Sequence, residues 1–88
     1  MVEWGRDKAE ANRSIHGVDF ADAAAVLSDD FALTRRDESP AEERFATVGM
    51  DALGRVPVVI FTWRGEEIRL ISARRTTASE PKEYEKNR

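Results

Sequence analysis

The chain has 88 residues, 41% hydrophobic and 35% charged, with a formal net charge of −3 and no cysteine. That length holds a single domain, residues 1–88, with a small core and a modest stability margin. Lack of cysteine excludes a disulfide framework and a thiolate metal site, and no apolar run reaches the roughly 18 residues of a membrane helix. "MVEWGRDKAE" lacks the apolar core of a signal peptide, so the expectation is a soluble cytoplasmic protein with no membrane partner.

"VEW" reads as a short opening strand with Trp4 as an apolar anchor. "DKAEANRSIH", Asp7 to His16, consists mostly of good helix formers and halts at Gly17, which suits a left-handed cap. "VDFADAAAVL" starts a second helix. Asp19 is placed to cap it, Asp22 completes a pair like a capping box, and Phe20, Ala23, Ala24 and Leu27 form one apolar stripe. After "SDD" the period changes. "FALTRR" reads as a strand with Phe31 and Leu33 on one face, "DESPAEE" as a polar loop, and "RFATVGM" as an alternating second strand. "DALG" contains a turn. "RVPVVIFTW" has the continuous apolar run of a strand buried on both faces, with Pro57 near its start because proline cannot donate to a ladder. "RGEE" turns the chain at Gly65 and "IRLISAR" closes the hairpin. The tail, "TTASEPKEYEKNR", forms a last helix with Ser79 as N-cap, Pro81 in its first turn and Tyr84 as anchor. The predicted fold is α+β. Its N-terminal helices pack on one face of a four-stranded antiparallel sheet, five-stranded if "VEW" joins it, and a C-terminal helix follows.

Charge is unevenly spread. Residues 19 to 43 carry a net of −6, and residues 44 to 75 a net of +3 in which every cation is arginine. Arginine suits bidentate phosphate contact and stacking on bases, although an arginine-rich sheet face is also an ordinary solvated surface. The chain has no Gly-rich phosphate loop, no HExxH and no EF-hand loop. One histidine without cysteine does not make a zinc site, and the acids of 19 to 43 lack metal-ligand spacing, so neither metal nor cofactor is expected. An enzyme made from this chain works with His16, carboxylates, arginines and Tyr84.

Four stretches, in order along nearly the whole chain, carry a family resemblance. The first runs through Glu3, Trp4, Lys8, Asn12, His16, Gly17, Val18, Phe20 and Ala23, and the second is "EERF", Glu42 to Phe45. The third is Gly54–Arg55, leading into the strand that ends with Thr62 and Arg64; the fourth is "IRLISARRTT". Together they resemble the BrnT family, whose opening is roughly E-W-D-x-x-K-x-x-x-N-x-x-K-H-G-V-x-F-x-x-A. Gly5 and Ile15 stand where that pattern has Asp and Lys. The resemblance implies a RelE-like fold and a ribonuclease toxin of a type II toxin–antitoxin pair, cleaving RNA and stopping translation. It also implies a BrnA-like ribbon-helix-helix antitoxin, a heterotetramer built on an antitoxin dimer, and contact with DNA only through that antitoxin. The alternative is a weakened module of the same fold that binds antitoxin or RNA without cutting.

Metal-free RNA cleavage needs a base for the 2′-hydroxyl, cations for the phosphorane and an acid for the leaving oxygen. Arg69, Arg74 and Arg64 are the phosphate-stabilising candidates. On a regular strand Arg69 and Arg74, five residues apart, point to opposite faces, so a bulge or the strand's end must re-aim Arg74 if both serve one site. His16 either caps its helix or acts as acid or base, and Glu43 either acts as base or pairs with an arginine. Candidate RNA contacts are Lys8, Arg13, Arg44, Arg55, Arg75 and Trp63, the last stacking on a base or packing inward.

Overall fold

The structure, a computed structural model, describes residues 1–37, 42–77 and 80–87. After β1 (Val2–Glu3), α1 (Arg6–His16) ends at Gly17, whose φ of 70° and N–H bond to the Arg13 carbonyl (2.9 Å) make the left-handed cap. α2 (Phe20–Ala23) begins at Asp19, whose Oδ1 accepts from the Ala21 N–H at 3.1 Å. It lasts only one turn. From Ala24 to Ser28 the chain tightens into a 3-10 helix. At about three residues per turn, positions 20, 23 and 26 align, so Val26 joins Phe20 and Ala23 in the core. The predicted stripe through Ala24 and Leu27 is only partly buried.

The strands β2 (Leu33–Asp37), β3 (Arg44–Val48), β4 (Pro57–Arg64) and β5 (Glu67–Arg75) form an antiparallel meander. Pro57 opens β4, and Gly65, with φ of 62°, makes the hairpin turn. Phe31 lies before β2 rather than in it, exposed, with its N–H donated to Asp29 Oδ1 at 3.0 Å.

Two further expectations need correction. The sheet is mixed, with order β1-β5-β4-β3-β2, because β1 pairs parallel with β5. No hairpin ties those two segments, so their relative direction is set by α1, which must start where β1 ends and lie back across the sheet. The helices also divide between both faces. Against one, α1, α2 and the 3-10 turn bury Val18, Phe20, Ala23 and Val26 on Val59, Phe61, Leu70 and Ala73. Against the other lies α3 (Glu80–Asn87), where Tyr84, 1% exposed, packs with Val48 and Val58. Its hydroxyl donates to Asp29 Oδ2, which also accepts the Met50 N–H at 2.9 Å. The predicted cap Ser79 and residues 38–41 of the polar loop lie outside the described residues.

Candidate functional site

The ladder between β4 and β5 shifts once. Ile60 pairs with Ser72 and Phe61 with Leu70, leaving Ile71 without a partner. That bulge decides which way the arginines face. Arg69 lies opposite Thr62 and Arg74 opposite Val58, and the two partners are four residues apart on an unbroken strand. Opposed residues share a face, as do alternate residues on one strand, so Arg69 and Arg74 share a face despite their five-residue spacing. Arg64 joins them by the same alternation. Along β4 the positions of Arg69 and Arg74 are about 13 Å apart, at roughly 3.3 Å per residue. That spacing fits a length of phosphate backbone better than a single phosphate.

The same register assigns Arg35, opposite Ala46, and Arg44, opposite Asp37, to this face, which α3 also covers in part. Arg69 is steadied by Glu3 (Nη1–Oε2 3.5 Å) and lies against Gly5, where an added Cβ would stand 3.4 Å from Nη2. Arg74 donates from Nη1 to the Arg75 carbonyl at 3.1 Å. Arg44 has a buried Nε without a hydrogen bond, its Glu42 partner standing 3.6 Å away. Glu43 forms an ion pair with Arg36 at 2.9 Å. Its carbonyl accepts from the Thr62 hydroxyl at 2.8 Å, which ties the entrance of β3 to the β4 residue facing Arg69.

The remaining candidates lie elsewhere. Trp63 pairs with Ile68 on the α1 side of the sheet, edge-on to Phe61 (6.3 Å) and 51% exposed. Lys8, Arg13 and His16 are exposed on α1. Arg13 lines a cavity with Trp4 and Arg6, and Trp4 packs edge-on against Phe20 at 6.1 Å. Arg55 and Arg75 meet around Gly17. Arg55 Nη1 reaches the Gly17 carbonyl at 3.5 Å, and Arg75 Nη2 lies 3.5 Å from where a Cβ on Gly17 would be.

Two residues have organising roles that the sequence reading did not assign, although Asn12 is among those that carry the family resemblance. Asn12, 5% exposed, pairs with the β5 backbone at Ala73 and donates to the Val18 carbonyl. An asparagine one turn after Ala9 on the inward side of α1 was the available signal. Asp51, its side chain buried, accepts from the Leu53 and Arg55 N–H groups (2.9 and 2.8 Å) and from Arg55 Nε (2.9 Å). "DALG" signalled a turn there, but not that its aspartate holds the arginine.

Fold and surface together define a small α+β domain with arginines gathered on one face of a mixed sheet. The chain belongs to the BrnT family: residues 4–80 match the family described as ribonuclease toxin, BrnT, of type II toxin-antitoxin system. It is similar to the crystal structure of the Brucella abortus ribonuclease toxin BrnT, at 28% identity and TM-score 0.64, over 86% of this chain and 95% of that one. No curated protein sequence matches it. Among the described residues no helix is long and apolar enough to cross a membrane.

Proposed function

We propose that this chain is an endoribonuclease toxin that cuts RNA without a metal ion, inhibits translation and is neutralised in the cytoplasm by a BrnA-type ribbon-helix-helix antitoxin. Membership of the BrnT family supports the class, and one observation carries the site: the bulge at Ile71 that sets Arg64, Arg69 and Arg74 on one face.

In the proposed reaction the RNA 2′-oxygen attacks the adjacent phosphorus and its proton passes to water, since Glu43 pairs with Arg36 on the other face of the sheet. The P–O5′ bond breaks, and the 5′-oxygen takes a proton from solvent, leaving a 2′,3′-cyclic phosphate and a 5′-hydroxyl. Arg69 and Arg74 hold two different phosphates of the backbone, and the one at the cleaved linkage takes the charge that gathers on the phosphorane, since guanidinium stays protonated and offers paired donors. Arg64 and Arg44 extend that surface. His16 is exposed at the C-terminal end of α1, next to Gly17.

Expression in bacterial cells tests the reading. Growth arrest with RNA fragments is expected from the wild type, relieved by Arg74→Ala and by co-expression of a ribbon-helix-helix antitoxin. Arrest that persists undiminished in both Arg69→Ala and Arg74→Ala would place the site elsewhere.

A further inference from the structure

Three separated stretches of sequence converge on a cavity of about 310 Å³ at the end of the sheet, lined by Val18, Arg55, Val56, Pro57, Arg75 and Thr76. That volume lies at the lower end of the range for ligand pockets, about 300–1,000 Å³. Its walls have two characters. Val18, Val56 and Pro57 form an apolar floor, and two guanidiniums close around Gly17 above it. The left-handed backbone of Gly17, φ 70°, lets its carbonyl reach Arg55 while its bare Cα lies against Arg75.

Arg55 is fixed before any ligand arrives. Asp51 holds Nε at 2.9 Å and Gly17 holds Nη1, which leaves the Nη2 edge for a ligand and reduces the cost of ordering that side chain. Arg75 is exposed and opposes Pro57, on the face away from Arg74. Consecutive arginines at the end of β5 thus connect the two sides of the sheet, where the strand stops and a flexible polyanion can pass around it.

We infer that this cavity is a nucleotide subsite for the RNA just beyond the cleaved linkage. Its phosphate lies on Arg75 and the free edge of Arg55, and its base lies against Val56, the partly exposed residue of that floor. The inference rests on the ribonuclease reading of the opposite face. The floor favours a base over a peptide segment, because Pro57 has no N–H with which to pair an incoming backbone. A base needs only an apolar surface for its ring, as at other single-strand sites.

The test uses the full chain and a 2′-O-methyl oligoribonucleotide, which binds but lacks the free 2′-hydroxyl needed for cleavage. Arg75→Ala should weaken binding about tenfold, the size of one lost charge-assisted hydrogen bond. Thr76→Trp, which fills the cavity from its rim, should weaken binding comparably, and both variants should cut natural RNA with a flattened nucleotide preference beside the scissile bond. If the wild type cuts RNA and both variants bind and select as it does, the subsite is overturned while the nuclease reading stands. If the variants keep RNA affinity but lose antitoxin affinity, the cavity belongs to the antitoxin and the inference fails. A wild type that neither binds nor cuts RNA overturns both readings together.

Discussion

The side-chain amide of Asn12 pairs with Ala73 as another strand would, donating to its carbonyl at 2.8 Å and accepting its N–H at 3.0 Å. β1 covers β5 only at Ile68 and Arg69, so Asn12 satisfies backbone groups further along that edge. It also binds the Val18 carbonyl at 2.9 Å, joining α1, the loop after it and the sheet. Ala73 and Val18 are buried, so Asn12→Ala leaves one donor and two acceptors unpaired away from water. We predict a loss of about 2–4 kcal/mol in urea unfolding. Asn12→Asp should do no better, since it keeps the acceptor but loses both donations and buries a charge.

Tyr84 anchors α3 by burial and by its hydroxyl bond to Asp29. Tyr84→Ala is expected to cost about 3–5 kcal/mol, as for other large buried aromatics, and Tyr84→Phe about 1 kcal/mol. Hydrogen exchange should show whether α3 detaches while β4 and β5 stay protected. Equal loss of protection in every element would mean that α3 is integral to the folding unit.

The meander was legible because its signals are local. "VPVVIFTW" and "IRLISAR" flank a turn glycine, and apolar runs of that length on either side of Gly65 leave little choice but a hairpin. Tyr84 was legible as an anchor, but an apolar residue on a short helix does not say which face of a sheet it meets. Nor did "VEW" carry its direction, since a two-residue strand takes its orientation from distant contacts with Ile68 and Arg69. The decisive feature for the site, the bulge at Ile71, depends on how two strands pair over their whole length. The sequence could only state the condition under which Arg69 and Arg74 share a face. Asn12 was hidden for a related reason: its partners, Val18 and Ala73, are 6 and 61 residues away.

Asp51 and Arg55 form a unit whose carboxylate is buried and whose guanidinium is about one-third exposed. Asp51→Ala should cost about 2–3 kcal/mol, below the range for a wholly buried pair because solvent screens the arginine side. It should also release the 51–55 turn, seen as faster amide exchange at Leu53 and Arg55. Stability unchanged within 0.5 kcal/mol, as for an ordinary surface substitution, would deny the pair its structural role.

Glu43 pairs with Arg36, which opposes Phe45 on the α1 side of the sheet, away from Arg69 and Arg74. Glu43→Gln should therefore leave the cleavage rate nearly unchanged. A fall of about 10²- to 10⁴-fold, the usual range for a general base, would return Glu43 to the site.

Arg69 and Arg74 are assigned to the phosphate backbone, so each should contribute to the salt dependence of binding. Removing either one should flatten the slope of log affinity against log salt by roughly 0.7 for single-stranded RNA. Trp63→Ala, on the opposite face of the sheet, should leave that slope unchanged. A slope insensitive to both arginines would separate them from the RNA path.

The central claim is that arginines brought to one face by the β5 bulge cut RNA without metal. The most direct measurement is cleavage of a defined RNA by purified protein in EDTA, comparing the wild type with Arg69→Ala and Arg74→Ala, each shown to be folded by circular dichroism. The account predicts fragments ending in a 2′,3′-cyclic phosphate from the wild type and at least a hundredfold slower cleavage from one of the two variants, on the order of the loss when one donor to a developing oxyanion is removed. Cleavage that stops in EDTA and returns with a divalent ion, or that proceeds at wild-type rate in both variants, would contradict it.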